Sequence, residues 1–176
     1  KEIDLSEVAE TVIGRHAALA QSRGVELSCQ TDGKTPILGN LTGIEQVFTN
    51  LVKNAINYTP KNEGGQVSVT VRDNGDEVTA SVADTGIGIA KRDLYYIFQP
   101  FYRADTSRVR GVGGGSSGLG LAIVNEIVRG HNGKIFVRST LGRGTTIEIT
   151  FPKMVQEEEA NEEDTGDTDT SEYTVA

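Results

Sequence analysis

The hydrophobic positions along the chain follow two periodicities, one typical of helices and the other typical of strands. Apolar side chains recur at three- and four-residue spacing in three segments, which predicts amphipathic helices over about residues 4–22, 41–57 and 119–130. Asp4 or Ser6 is suited to cap the first of these helices.

Alternation of apolar and polar side chains predicts the strands. Valine or alanine occupies every second position in residues 67–71 and 78–82, on either side of the polar stretch Asp73–Asp76, which indicates an antiparallel hairpin. Further strands are expected at about residues 25–30, 134–139 and 145–151. Helices interleaved with a mixed, mostly antiparallel sheet predict an α/β two-layer sandwich, with the helices on one face of the sheet.

Composition limits the class of protein. The 176 residues are enough for one domain with a hydrophobic core. Cys29 is the only cysteine, which excludes an internal disulfide bond and a metal site built from several thiolates. The sequence contains no apolar run long enough to cross a bilayer, and it begins at Lys1 without a methionine. We therefore expect a cytoplasmic piece of a longer protein.

The formal net charge of −8 is concentrated at the carboxyl-terminal end of the chain. Nine of the 25 acidic residues follow Met154, and the preceding part is near neutral with 17 basic and 16 acidic residues. We expect a folded domain over residues 1–153 and a disordered acidic tail over residues 154–176, because the tail has too few large apolar side chains to order itself. A solvated end without a role is favoured over an interaction arm, and no nucleic-acid partner is expected.

Residues 111–121, GVGGGSSGLGL, bring a glycine-rich stretch directly into the third predicted helix. Free backbone amides and the positive end of a helix dipole favour an anion at such a place. Gly113, Gly115 and Gly118 also satisfy GxGxxG, but no predicted strand precedes them, and Arg138 stands where a dinucleotide fold needs an acid. No GxxxxGK[ST] sequence occurs, so the stretch predicts a phosphate site of another kind.

Asp84 ends the second strand of the predicted hairpin and is followed by Gly86 and Gly88. A carboxylate only accepts hydrogen bonds, so Asp84 suits an exocyclic amine such as that of adenine. The two glycines allow the backbone to take a positive φ or to lie against a flat ligand. An Asx turn explains the same three residues without any ligand, and the pattern alone favours that explanation.

Asn50 and Asn54 lie one turn apart on the second predicted helix. Two amide oxygens suit a magnesium ion that also carries phosphate oxygens and water, because such an ion takes few protein ligands. Hydrogen bonds within or between helices are the alternative explanation for the pair.

Five motifs in order resemble those of the two-component sensor histidine kinases, over about residues 5 to 152. Asn50–Pro60 resembles the asparagine box of that family, and Asp84–Ile89 its first glycine box. Phe98–Asp105 resembles the phenylalanine box, and Gly118–Val124 the second glycine box. Gly142–Thr145 is similar to the last glycine turn. The resemblance implies the ATP-binding catalytic domain of such a kinase, in the Bergerat fold shared with gyrase-type ATPases.

The resemblance also implies the roles of individual residues. Asp84 would receive the adenine amine, Asn50 and Asn54 would face magnesium and the phosphates, and Arg103 would join the two asparagines as a catalytic residue. The other residues expected to contact the nucleotide are Tyr58, Gly86, Gly88, Ile89, Phe101, Gly118, Leu119, Gly120, Leu121 and Thr145.

By the same resemblance, residues from about 102 to 117 would form a mobile lid over the nucleotide. Phe98 and Phe101 would anchor this segment, although two aromatic side chains at that spacing also fit an ordinary core. Three arginines are expected to offer charge to the phosphates: Arg103, Arg108 and Arg110.

Asn50 also bears on the chemistry, because the related water-dependent ATPases carry a glutamate general base at that position. An amide cannot accept a proton at neutral pH, so we expect slow hydrolysis and transfer to a histidine instead. His16 lacks the acidic neighbour typical of the acceptor, and His131 lies at a predicted helix end, so both are expected to be structural. Asn57 departs from the family, in which many members carry lysine or arginine.

The function predicted by the resemblance is therefore transfer of the γ-phosphoryl group of ATP, with Mg²⁺, to a histidine in a dimerisation domain outside this chain. Expected partners are the phosphoacceptor helices of the parent kinase and the receiver domain of a response regulator. The piece itself would be a monomer and the parent a homodimer. Two alternatives stay open: a serine kinase of the same fold and a docking module that does not catalyse.

Overall fold

The described part of the chain, residues 1–104 and 117–154 of a computed structural model, consists of a helical layer packed on a sheet. Its elements in chain order are β1 (Glu2–Asp4), α1 (Leu5–Ser22), β2 (Glu26–Thr31), β3 (Pro36–Leu38), α2 (Leu41–Tyr58), β4 (Gln66–Asp73), β5 (Glu77–Asp84), α3 (Lys91–Leu94), α4 (Gly120–Gly130), β6 (Lys134–Thr140) and β7 (Gly144–Pro152). The predicted acidic tail, from residue 155 onward, lies outside the described residues.

The main sheet has five strands in the order β2, β4, β5, β7, β6. Every neighbouring pair is antiparallel except β2 and β4, which run parallel with Cys29 beside Val69. The predicted α/β two-layer sandwich with a mixed, mostly antiparallel sheet is confirmed. β1 and β3 form a separate two-stranded ribbon that periodicity did not predict, because three residues are too few to show an alternation.

One face of the sheet and one face of each long helix enclose the core. Because neighbouring strands place their alternate side chains on the same face, the inward positions of β4, β5 and β7 form one continuous apolar surface. The most completely buried large side chains include Phe48 and Leu51 of α2 and Ile149 and Phe151 of β7. The opposite face of the sheet is uncovered by described helices and carries serine and threonine, as in the pairs Thr70–Ser81 and Thr79–Thr150.

Side chains cap two of the helices. Asp4 Oδ1 accepts a hydrogen bond from the Ser6 amide at 3.1 Å, so Asp4, of the two residues suggested by the sequence, caps α1. At α2, Asn40 Oδ1 accepts from the Gly43 amide at 2.9 Å. None of the helices in the described ranges combines the length and apolar character that a membrane span requires.

His131 joins the end of α4 to the start of α2. Its Nε2 accepts a hydrogen bond from the Asn40 amide at 3.0 Å, and its Nδ1 lies 2.7 Å from the Ile127 carbonyl. Since Nε2 accepts, Nδ1 carries the proton and donates to the carbonyl. The ring edge also contacts Phe151, with centroids 6.2 Å apart. The structural role expected for His131 agrees with these contacts.

We predict that His131→Ala destabilises the fold by about 2 kcal/mol, because it removes two hydrogen bonds and the contact with Phe151. His16 is the matched control, since its Nδ1 bonds only the Val12 carbonyl of its own helix. His16→Ala is therefore expected to cost less than about 1 kcal/mol. Urea unfolding at pH 7.5 measures both variants, and equal losses would contradict the role of His131.

Candidate functional site

A cleft open to solvent lies between α2, the end of β5, the start of β7 and the stretch from Ile87 to Ala104. Apolar side chains form most of its wall, and a few polar groups converge on it. The described residues that line it are Leu51, Asn54, Ala55, Tyr58, Val82, Asp84, Ile87, Gly88, Ile89, Ile97, Tyr102, Arg103, Ala104, Leu121, Thr145 and Ile147. Apolar walls with few polar groups are typical of small-molecule sites.

Asp84 is the acidic residue of this cleft. Its Oδ1 accepts hydrogen bonds from the Gly86 amide at 2.8 Å and the Thr145 amide at 3.2 Å. The first of these closes the Asx turn that the sequence allowed. Oδ2 has no hydrogen bond to a described residue, so it can accept one from a ligand. The turn and the ligand site are therefore compatible, because they use different oxygens of one carboxyl group.

Burial raises the pKa of Asp84 to about 6, although the amides of Gly86 and Thr145 act in the opposite direction. At neutral pH the group still carries its negative charge, in surroundings that offer it little water. An amine donor from a ligand would stabilise this charge.

Gly86 and Gly88 are required by the packing of the protein itself. A Cβ at Gly86 would lie 2.4 Å from the Tyr58 carbonyl oxygen, and one at Gly88 would lie 2.1 Å from the Thr140 carbonyl oxygen. Gly88 also has a φ of +70°. Of the two glycines expected to line the base, only Gly88 belongs to the wall of the cleft, while Gly86 fits against the end of α2.

Hydrogen bonds fix the loop after β5 on both sides. The Ile87 amide donates to the Tyr58 carbonyl at 3.1 Å, and the Gly142 amide donates to the Ile87 carbonyl at 2.7 Å. Ser139 Oγ accepts from the Ile89 amide at 2.8 Å and lies 2.8 Å from the hydroxyl of Thr145. Sequence reasoning missed Ser139, because no motif includes it and only the pairing of β6 with β7 brings it here.

Asn50 and Asn54 lie on one face of α2, as their spacing predicted, and both side chains are close to the start of α4. Asn50 Nδ2 donates to the Gly120 carbonyl at 3.3 Å. A Cβ on Gly120 would lie 3.8 Å from Asn50 Oδ1 and from Asn54 Nδ2. Asn54 belongs to the wall of the cleft, whereas Asn50 does not. The glycine therefore leaves room beside both amide side chains.

The first turn of α4 has no side-chain cap. Leu119 occupies the N-cap position and makes no side-chain capping bond, so the amides of the first turn lack the usual partner. These amides lie beside Asn50 and Asn54, and Leu121 of the same turn lines the cleft. Gly118, Leu119 and Gly120 are near this place but do not line the cleft.

The expected anchoring role of Phe101 is wrong. Its side chain is 73% exposed and does not line the cleft, and its backbone has a φ of +64°. The Phe101 amide donates to the Gly118 carbonyl at 3.0 Å, and Gly118 packs closely on the Phe101 backbone. Phe98 is half-buried. Residues 105–116 of the expected lid, with Arg108 and Arg110, lie outside the described residues.

Several residues that line the cleft are apolar, and the sequence analysis did not assign them to the site. They are the apolar residues Leu51, Ala55, Val82, Ile87, Ile97, Ala104 and Ile147. Most belong to core-facing positions of α2, β5 and β7, so periodicity predicts their burial without distinguishing the cleft from the core. Tyr102 also lines the cleft. It belongs to the phenylalanine box, but the sequence analysis assigned only its neighbour Arg103 to the site.

Comparison with known proteins places the chain in a family. The family model of histidine kinase-, DNA gyrase B- and HSP90-like ATPases matches residues 39–155. The sensor-like histidine kinase SenX3 of Mycobacterium tuberculosis is 36% identical over 155 residues, which are 88% of this chain and 37% of SenX3. The sensor histidine kinase WalK of Bacillus subtilis is 44% identical over 118 residues, 66% of this chain and 19% of WalK. The chain thus spans well under half of these relatives.

Solved structures of similar fold are also histidine kinases. Full-length ShkA in complex with AMPPNP has a TM-score of 0.74 and 27% identity, over 89% of this chain and 31% of ShkA. ThkA in complex with the response regulator protein TrrA has a TM-score of 0.71 and 27% identity, over 88% of this chain and 42% of ThkA.

We predict that Asp84→Asn stabilises the ligand-free fold at pH 7 by about 1 to 3 kcal/mol, since a pKa raised by burial means that ionisation costs folding energy. Asn keeps the Oδ1 acceptor and removes the charge. Because the folded pKa lies above the unfolded value of 3.8, this cost grows as pH rises from about 3.8 to about 6 and is constant above that. The stabilisation should therefore fall below about 1 kcal/mol near pH 4.

Urea unfolding at pH 4 and pH 7 measures this difference. Asp76→Asn, at an exposed turn, is the control and should change stability by less than about 0.5 kcal/mol at either pH. A destabilised Asp84→Asn variant at pH 7 would show that the carboxylate is better accommodated than its burial indicates.

We also predict that Gly88→Ala destabilises the fold by more than about 3 kcal/mol, because the methyl group would overlap the Thr140 carbonyl at a positive φ. Gly75→Ala is the matched control, with a φ of +88° and no atom within 4 Å of the added Cβ. It should cost only about 1 to 2 kcal/mol, the strain of the positive φ alone. Thermal unfolding of both variants tests the difference, and similar losses would contradict the close packing at Gly88.

Proposed function

Because this chain belongs to the family of histidine kinase-, DNA gyrase B- and HSP90-like ATPases, we propose that it binds magnesium ATP for transfer of the γ-phosphoryl group to a histidine outside the chain. The observation that carries this proposal is Asp84, a buried carboxylate that faces an apolar cleft with one oxygen free of hydrogen bonds to described residues. Adenine presents an amine donor on a flat apolar ring, which suits both features.

The base is proposed to lie between Asp84 and the apolar walls. Ile87 and Ile89 of the loop after β5 line the cleft with Leu121 of α4, and Tyr58 lies at the end of α2. Thr145 lines the cleft beside Asp84, and its amide already binds Oδ1 of the carboxylate. The hydrogen bond from the adenine amine would then fall to Oδ2.

The phosphates are proposed to lie at the start of α4. Its uncapped amides and the helix dipole favour negative charge, and Gly120 leaves space beside the two asparagines. Since Asn50 Nδ2 donates to the Gly120 carbonyl, its Oδ1 is the oxygen left for a cation. Mg²⁺ is proposed to be held mainly by phosphate oxygens and water, because such an ion takes few protein ligands.

The proposed acceptor is a histidine outside this chain, and the surroundings of Asn50, His131 and His16 support this proposal. Asn50 occupies the position of the water-activating glutamate, so the described site offers no general base there. His131 uses both ring nitrogens within the fold, and His16 Nδ1 bonds the Val12 carbonyl. We therefore assign the phosphoacceptor to the parent protein. Its neutral imidazole would attack the γ-phosphorus without a base.

The parent is proposed to be a sensor kinase that dimerises through helices outside this chain and passes the phosphoryl group to a response regulator. The similar kinase ThkA, solved with the response regulator TrrA, supports this assignment. SenX3 and WalK, both sensor histidine kinases, support the same place in two-component signalling.

We predict that calorimetric titration detects ADP binding that strengthens at least about fivefold with Mg²⁺. Asp84→Asn should weaken binding of ADP and of adenosine by more than about tenfold, because it removes the charged acceptor. Asn54→Ala should abolish the effect of Mg²⁺ and leave adenosine binding unchanged. Asn57→Ala, three residues along the same helix and outside the wall of the cleft, is the matched control and should bind as the unmodified chain does.

Failure of the unmodified chain to bind millimolar ADP would remove the kinase assignment and leave a docking module of the same fold. If the parent protein phosphorylates itself, acid lability of the product would distinguish phosphohistidine from the phosphoserine expected of a serine kinase.

A further inference from the structure

Arg103 carries the only positive charge among the described residues that line the cleft. Its Nε is buried and has no hydrogen-bond partner among the described residues. A buried donor without a partner is unfavourable until an acceptor arrives. The oxygens of a bound polyanion would supply that acceptor, so the placement of Arg103 bears directly on nucleotide affinity.

The neighbouring residue, Tyr102, is fixed by a carboxylate that does not line the cleft. Tyr102 Oη donates a hydrogen bond of 2.5 Å to Oδ1 of Asp93. Asp93 lies in the short helix α3 and is only 4% exposed. Its Oδ2 is buried and has no hydrogen-bond partner among the described residues, an arrangement that local stability alone does not favour. Among the described residues, the hydrogen bond to this buried carboxyl side chain therefore comes from the tyrosine beside Arg103.

The backbone conformation at Phe101 is unusual, and contacts on both sides of this residue hold the segment that carries Arg103. Phe101 has a φ of +64° and points outward, whereas Tyr102, Arg103 and Ala104 line the cleft. A bulky residue with positive φ keeps that conformation only if neighbouring contacts hold it. On one side the Phe101 amide bonds Gly118 at 3.0 Å, and on the other side the Tyr102 hydroxyl bonds Asp93.

We propose that Asp93 is a positioning residue for nucleotide binding, which keeps Arg103 in the cleft facing the phosphates by holding the hydroxyl group of Tyr102. This inference rests on the proposed function, since it requires a phosphate-bearing ligand in the cleft. It assigns to α3 a part in binding that none of the motifs of the sequence includes.

A simple electrostatic role for Asp93 predicts the opposite effect. Asp93 places a negative charge near a cleft that takes a polyanion, so removal of this charge by itself should strengthen the binding of ADP. If Asp93 positions Arg103 instead, its removal should weaken ADP binding. The sign of the change in ADP affinity therefore separates the two roles.

The test is calorimetric titration of the chain with Mg²⁺–ADP and with adenosine, which lacks phosphate. Asp93→Ala, Tyr102→Phe and Arg103→Ala are each expected to weaken ADP binding about five- to tenfold, the range of one lost hydrogen bond to a charged group. Adenosine binding should change less than about twofold. Asp93→Asn keeps an acceptor for the Tyr102 hydroxyl and should retain most of the ADP affinity.

Two controls distinguish positioning from general disruption. Tyr96→Phe removes a hydroxyl from the ring that packs 5.6 Å from Tyr102, and it should leave both affinities unchanged. Tyr102→Phe combined with Arg103→Ala should bind ADP no more weakly than Arg103→Ala alone, because both act through one contact.

Three results would contradict the inference. Stronger ADP binding by Asp93→Ala would support the electrostatic role, and equal losses of ADP and adenosine would indicate a structural one. Additive losses in the double variant would separate Tyr102 from Arg103. If Asp93→Ala does not fold, Tyr102→Phe carries the test, because it removes one oxygen and keeps the ring. If the unmodified chain binds adenosine without gain from phosphate, the proposed function fails together with the inference.

Discussion

The packing of α2 on the sheet is the constraint on which the site depends. One face of this helix buries seven apolar side chains, namely Ile44, Val47, Phe48, Leu51, Val52, Ala55 and Ile56. Full burial of a large apolar side chain contributes about 1.5 to 3 kcal/mol, so this face fixes the rotation of the helix with a large energy. Asn50, Asn54 and Tyr58 follow at four-residue spacing on the adjacent face. Their direction toward the cleft and α4 is therefore set by the core, before any ligand is present.

The far wall of the cleft depends on a different kind of contact. The end of β5, the loop that follows and the start of β7 meet where the Gly86 and Thr145 amides bind one oxygen of Asp84. Burial raises the pKa of this carboxyl group, so the ionised form strains the ligand-free fold. In the proposed function, the amine of the bound base would relieve that strain through Oδ2. The ionised carboxylate of Asp84 therefore lowers the stability of the ligand-free fold, and in the proposed function it raises the affinity for the base.

Hydrophobic periodicity predicted the long helices and strands, which pack one face on the core. α1, α2, α4 and the hairpin of β4 and β5 lie where the pattern placed them, since each repeats its signal over eight or more residues. β1, β3 and α3 were missed, because three or four residues carry no measurable period. The parallel pairing of β2 with β4 was not predicted either. The alternation within a strand indicates which side chains are buried, but it does not indicate which strand pairs with it.

The site shows the same limit at the level of single residues. Motifs located Asp84, Asn54 and Thr145 because each residue carries its own polar signal, and the structure brings all three to one cleft. Phe101 was misjudged because an aromatic residue normally packs inward, whereas this side chain is exposed on a backbone of positive φ that the sequence does not reveal. Tyr102 and Arg103, the next two residues, line the cleft. A motif shows which residues are neighbours in sequence. Whether a side chain faces the cleft or the solvent depends on the backbone conformation, which tertiary contacts maintain.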